Sequence, residues 1–262
     1  MTTPTAEAKL ARVSLAVETG IARIVLRHPP LNVIDIPMME ELEHAWQQIE
    51  ARPDISAVIV SGEGNSFSAG VDVAAHTPDR VEEMLAKFHG VIRAVVASRK
   101  VTMAAVRGHC LGGGAELAMV CDFVFTTEDA RWGFPEIKLG CYPPVACTAL
   151  AALVGQKRSA DLILTGRTVS GREAAEMGLA TRALGSDEMD QAVDECVKDL
   201  LQLSPAALAI AKKASYAWDS MHFDKGLVRA EKIYFEDLMK TEDAREGIRA
   251  FVEKRPPKWT GR

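Results

Sequence analysis

Between Val13 and Leu201, short β-rich apolar runs alternate with segments of helical period. From Pro205 onward the strand signal stops. This alternation constrains the fold more than any other feature, because strands separated by helices pack as an α/β core. Val13–Val17 and Ile21–Leu26, split by Glu18-Thr19-Gly20, predict a hairpin that ends at His28-Pro29-Pro30. Pro37 to Glu50 carries Met38, Leu42, Ala45, Trp46 and Ile49 at helical spacing. Ala57–Val60 predicts a strand running into a turn at Ser61–Asn65, Arg80–Ala97 a helix and Val101–Val106 a strand. A helix starts after Gly112-Gly113-Gly114 and runs through Ala115–Val120, with a strand at Phe123–Thr126. Val145–Val154, Ser159–Leu164, Gly171–Met177 and Asp187–Leu201 read as helical, as do Ala206–Ala214 and Asp224–Leu238. A boundary near Leu201–Pro205 divides the chain into 1–203 and 204–262.

The bulk properties exclude several classes. The 262 residues suffice for one large domain or a domain with a helical appendix, and 48% hydrophobic content supports an apolar core. A net charge of −5 gives no footprint for nucleic acid, although the C-terminus is locally basic from Arg245 to Arg262. Five cysteines without a CxxC pair read as reduced thiols and not as a disulfide framework or zinc site. Met1–Lys9 lacks a secretory apolar stretch and no run reaches membrane-spanning length, so the expectation is a cytoplasmic protein.

Motif chemistry narrows further. Gly112-Gly113-Gly114 is followed neither by the Lys-Ser/Thr of a P-loop nor by GxGxxG spacing, and no GxSxG elbow exists. The six histidines show no metal-ligand pairing, His109 beside the glycines included, so no metal is expected. What remains is Gly108-His109-Cys110-Leu111-Gly112-Gly113-Gly114-Ala115-Glu116-Leu117. Bare amides at a helix start, with the positive end of the helix dipole behind them, suit a developing oxyanion. Taken alone, the glycines are better explained by tight helix–strand packing or a flexible loop. Glu116 sits in the first turn of an apolar helix, where it could simply complement the dipole. Glu136, in Trp132-Gly133-Phe134-Pro135-Glu136-Ile137, could be a cap after Pro135. A partly buried carboxyl in such apolar surroundings would also hold its proton more tightly, as a general acid or base near neutral pH requires.

Taken together, these segments resemble the enoyl-CoA hydratase/isomerase (crotonase) superfamily over nearly the whole chain. The resemblance is carried by Phe67-Ser68-Ala69-Gly70-Val71-Asp72, Gly112 to Ala118, Trp132 to Ile137, Leu164-Thr165-Gly166-Arg167 and Met177-Gly178-Leu179. Thr241-Glu242-Asp243 through Phe251-Val252-Glu253-Lys254-Arg255 completes it. It implies a spiral core of ββα repeats, a C-terminal helical region that mediates trimerisation, and a homotrimer or homohexamer. It also implies an acyl-CoA thioester as substrate, with coenzyme A part of that substrate and no separate cofactor. The backbone N–H groups of Val71 and Gly113 become the oxyanion hole. Glu116 and Glu136 become the acid–base pair, and retention of both favours hydration, since related isomerases commonly keep only the equivalent of Glu136. Ala69, Gly70, Asp72, Gly112, Tyr142, Pro144, Lys254 and Lys258 become substrate or CoA contacts.

The sequence departs from the family pattern at two places. Pro144 stands where a glycine N–H helps hold the catalytic water, and proline has no such donor. Ala74 stands where many members carry a lysine near the CoA phosphates. Tyr142-Pro143-Pro144-Val145-Ala146, with Ser68–Asp72 and His76–Asp79, resembles hydratases of the cyclohexa-1,5-diene-1-carbonyl-CoA type. A pocket of Tyr142, Phe134, Trp132 and Pro144 would suit a flat ring. The alternatives are a double-bond isomerase or CoA-ester hydrolase on the same scaffold, or a non-catalytic member that binds acyl-CoA or RNA.

Overall fold

The computed structural model describes residues 11–77 and 79–261, and the side chains of all of these except 217–221. Met1–Lys9, Pro78 and Arg262 lie outside the described residues. The hairpin forms as expected: β1 (Val13–Glu18) pairs antiparallel with β2 (Ile21–Leu26) around Gly20, whose φ of 83° the turn requires. Then α1 (Ile36–Glu50), capped by Asp35 on the Met38 amide, crosses to β3 (Ala57–Gly62). The helix α2 (Val81–Ala97) leads to β4 (Val101–Val106), and the chain then enters β5 (His109–Leu111) and α3 (Gly113–Met119). After β6 (Phe123–Thr127) and β7 (Arg131–Gly133) come α4 (Pro144–Val154), α5 (Gln156–Thr165), β8 (Thr168–Ser170), α6 (Gly171–Glu176), β9 (Arg182–Leu184) and α7 (Met189–Leu201).

Two sheets result. The larger has the order β1-β2-β3-β4-β6-β9, parallel apart from the first pair, and the smaller has the order β5-β7-β8. After β4 and again after β6 the chain passes directly into a strand of the smaller sheet before turning into helix, giving successive ββα windings. Period-two alternation sorts the large sheet's side chains. Val58, Val60, Ala104 and Val106 face the main core with α1, α2 and α3. Ala57, Ile59, Met103 and Ala105 face Met189, Val193 and Val197 of α7.

Beyond Leu201 the chain is helical except near its end. Ser204 caps α8 (Pro205–Glu236), a single 32-residue helix that joins the two amphipathic stretches expected separately. Thr241 caps α9 (Glu242–Val252). A buried clasp ties α8 to the core: His89 of α2 is 0% exposed, and its Nδ1 lies 2.7 Å from Glu231 Oε1, which also accepts from Arg93 at 2.9 Å. Among the described residues no helix is long and apolar enough to cross a membrane.

Candidate active site

The segment Ser66–Asp72 connects β3 to α2 and is laced to its neighbours by backbone bonds. The Ser68 amide donates to His109 O and the Leu111 amide to Ser68 O. On the other side the Ile34 amide donates to Gly70 O and the Asp72 amide to Ile34 O. Asn32, in the left-handed region at φ 50°, donates its side-chain amide to Glu63 O and Ser66 O. This lacing uses the amides on both sides of Val71 but not its own. The Gly113 amide, at the first position of α3, is likewise without an acceptor among the described residues.

The two amides are neighbours. A Cβ built on Gly113 would stand 3.4 Å from Val71 N and only 2.6 Å from Val71 Cγ2, and one built on Gly70 would stand 3.5 Å from Gly113 N. Glycine at 113 therefore permits a close approach that any side chain would block. Gly112 caps α3 at φ 51°, and a Cβ there would meet Glu136 Oε1 at 2.5 Å, so the bare backbone makes the bed on which the Glu136 carboxyl rests.

The two glutamates arrive from different directions. Glu116, one turn into α3, is 3% exposed, and its Oε1 accepts the Ala146 amide of α4 at 2.9 Å. Pro144 is the first residue of α4, where a missing N–H costs nothing because that amide has no helical partner. The donors turned toward Glu116 come from the next two positions, Val145 and Ala146. Glu136 lies on the 3-10 turn Pro135–Leu139 and leaves its Oε2 buried without a hydrogen-bond partner. Burial pushes both carboxyls above the ordinary range, and the charge of Glu116 raises Glu136 further. Two like charges in one dry site disfavour double ionisation, so a proton is retained well into neutral pH.

Both carboxyls open into one cavity of ≈ 360 Å³, lined also by Ala69, Gly70, Val71, Gly112, Gly113, Tyr142 and Pro144. Sequence reasoning thus gathered nine residues that the fold brings together. Three others are elsewhere. The Asp72 carboxylate caps the turn Val73–His76 through the Ala74 amide. Lys254 follows α9 in an exposed left-handed position, and Lys258 lines a separate groove beside Glu246, Arg249 and Arg255. Trp132 and Phe134 do not form the pocket expected of them: both are fully buried core residues, and Trp132 Nε1 donates to Thr126 Oγ1. The aromatic walls are instead Phe88 from α2, Tyr234 from α8 and Phe251 from α9. Phe88 follows Met84 at helical spacing and could not be told from core. Tyr234 had no local signal at all. Tyr142 is pinned, its hydroxyl donating to Ala230 O at 2.6 Å and its ring meeting Tyr234 edge-on at 5.2 Å.

Comparison with known proteins places the chain in a family. The sequence pattern described as "Enoyl-CoA hydratase/isomerase" matches residues 16–262. The chain belongs to the enoyl-CoA hydratase/isomerase family. It is 34% identical over 251 residues to the cyclohexa-1,5-dienecarbonyl-CoA hydratase of Thauera aromatica, covering 96% of this chain and 97% of that one. An enoyl-CoA hydratase structure from Mycobacterium avium subsp. paratuberculosis K-10 superposes with a TM-score of 0.87 at 26% identity, covering 96% and 99% of the two chains. An enoyl-CoA hydratase/isomerase structure from Xanthobacter autotrophicus Py2 gives 0.85 at 30%, covering 94% and 98%. The crotonase α/β fold with its C-terminal helices is therefore the fold of this family member.

Proposed function

We propose that this protein is a hydro-lyase that adds water to, or removes it from, an α,β-unsaturated acyl-CoA thioester. One observation carries the reading: the buried Glu116 carboxyl, the Glu136 carboxyl with its Oε2 buried, and two unpaired backbone amides converge on a single, largely apolar cavity. In the hydration direction the oxygen of water bonds to Cβ and its proton passes to one glutamate. The C=C electron pair moves toward the carbonyl, whose oxygen takes up enolate charge facing the Val71 and Gly113 N–H groups. Collapse of the enolate takes a proton at Cα from the second glutamate. One carboxyl gains a proton and the other loses one, so a pair that shares a proton between two sites is matched to the task. The Ala146 amide orients Glu116, and with no N–H at Pro144 the water is held by the two glutamates.

A flat cyclic dienoyl group is the acyl class we favour, supported by the likeness to the Thauera aromatica hydratase and by the Tyr142, Tyr234, Phe88 and Pro144 walls. CoA lies at the mouth of the acyl cavity in this reading, against Ala69, Gly70 and the following loop. A homotrimer or homohexamer built through 204–262 is supported by Ile210 and Val228, apolar side chains of α8 that remain exposed in the single chain.

The test offers cyclohexa-1,5-diene-1-carbonyl-CoA and crotonyl-CoA under identical conditions and identifies products by mass. Faster hydration of the cyclic diene supports the ring-specific reading, and hydration of crotonyl-CoA alone returns the enzyme to general enoyl-CoA chemistry. Glu116→Gln and Glu136→Gln are each expected to lower kcat by about 10²–10⁴ while acyl-CoA binding persists. Unchanged turnover in both would end the two-glutamate mechanism.

A further inference from the structure

Of the polar side chains that line the acyl cavity, the reaction leaves over His76, which sits against Asp72 O, Tyr142, which donates to Ala230 O, the exposed Lys138, and one buried hydroxyl. Glu116 and Glu136 handle the protons, and the Val71 and Gly113 amides face the thioester oxygen. Tyr234 lines the same cavity from α8, is 1% exposed, and buries its hydroxyl without a hydrogen-bond partner. Its polar neighbour is the thiol of Cys141, a weak acceptor that itself turns toward Leu139 O at 3.7 Å. A buried hydroxyl left unpaired is unfavourable, and native structures rarely keep one without a use.

The hydroxyl is also held in place. One helical turn before Tyr234, Ala230 O accepts the Tyr142 hydroxyl, and the Tyr142 ring meets the Tyr234 ring edge-on. Between these two residues Glu231 is clasped by His89 and Arg93 of α2. Tyr234 is thus preorganised from two sides, which is how a site invests in a directed polar contact. Met84, Leu85, Phe88, Leu139 and Phe251 form the apolar part of the wall, and beyond the glutamates and Tyr142 the polar side chains are His76, engaged at Asp72 O, and the exposed Lys138. Burial keeps the phenol protonated, so it is a donor as well as an acceptor.

We propose that Tyr234 is a specificity-determining residue whose hydroxyl hydrogen-bonds an oxygen carried by the acyl group beyond Cβ, a ring hydroxyl or ketone. The substrate class is then narrowed from a flat cyclic enoyl group to one that bears an oxygen, and the unsubstituted cyclic diene becomes the weaker ligand that leaves the Tyr234 hydroxyl unpaired. A site built around a polar contact discriminates strongly against a ligand that lacks it. This inference rests on the acyl-CoA reading above.

Binding of non-reacting saturated thioesters tests it without any turnover. Cyclohexanecarbonyl-CoA is compared by calorimetry with its 3-hydroxy and 4-hydroxy derivatives, on the wild-type enzyme and on Tyr234→Phe. The expected result is at least a roughly tenfold preference of the wild type for one hydroxylated thioester. In Tyr234→Phe that preference disappears, while affinity for the unsubstituted ring is equal or better. Equal affinity of the wild type for all three overturns the proposal, as does a preference that survives in Tyr234→Phe. Failure of every thioester to bind would instead overturn the acyl-CoA reading, and this inference with it.

Discussion

Placing a methyl group on Gly113 tests the oxyanion role proposed for its amide against plain packing. In Gly113→Ala the new Cβ would stand 2.6 Å from Val71 Cγ2 and 3.1 Å from Phe88 Cζ. Ordinary contact begins at 3.4 Å, so the Val71 side must give by about 0.8 Å (3.4 less 2.6) and the Phe88 tip by about 0.3 Å (3.4 less 3.1). Overpacking of this kind costs about 1–3 kcal/mol, which for a chain of this size lowers Tm on the order of 5 °C. The larger consequence is catalytic. The clash pushes Val71 and Gly113 apart, a misplacement approaching 1 Å costs on the order of 10² in rate, and removing an oxyanion donor costs about 10²–10³ in kcat. Val71→Ala deletes Cγ2 and keeps the amide, so its kcat stays near wild type. The double variant Val71→Ala/Gly113→Ala relieves the worse contact and leaves only the Phe88 tip to yield. Its Tm and most of its kcat return. Thermal denaturation and loss of the enoyl-thioester absorbance read both quantities on the same four proteins. A double variant as slow as Gly113→Ala would refute the reasoning, as would a Gly113→Ala enzyme of normal rate.

Two further outcomes follow from buried polar groups. Because burial and Glu116 raise the Glu136 carboxyl, the unfolded chain loses that proton at lower pH than the folded one. Stability then falls as pH rises from about 4.3, the ordinary glutamate value, toward the raised one, by about 1.4 kcal/mol per unit of displacement. Glu136→Gln lacks this term, so its Tm relative to wild type climbs between mildly acidic and neutral pH, and parallel Tm curves would contradict the raised carboxyl. His89→Ala removes the buried partner of Glu231 and is expected to cost about 2–3 kcal/mol in chemical denaturation. An unchanged denaturation midpoint would show that the clasp does not hold α8 to α2.

The long elements were legible because each carried enough residues for a period to repeat. Met38, Leu42 and Ile49 mark one face of α1, and Gly112 to Glu116 announce a helix start bearing a carboxyl. The smaller sheet was not legible. Three residues each in β5, β7 and β8 cannot display alternation, and without that sheet nothing assigned Trp132 and Phe134 to the core instead of the pocket. The split reading of α8 failed for another reason: the helix changes the surface it faces along its length, so no single apolar stripe runs through it. Cavity-lining residues close to glycine-rich turns could be found from the chain alone. Tyr234 and Phe251 could not, because only the return of α8 and α9 over the α2 side brings them to Glu136.

The separate footings of the two carboxyls bear on how this scaffold diversifies. Glu116 leans on the start of α4, whereas Glu136 rests on the bare backbone of Gly112. Exchanging Glu116 for a neutral residue disturbs one amide contact and leaves the other acid, its cradle and the paired amides standing. On the proposed mechanism, one codon therefore separates a two-proton machine from a one-proton machine, with no intermediate that has to refold.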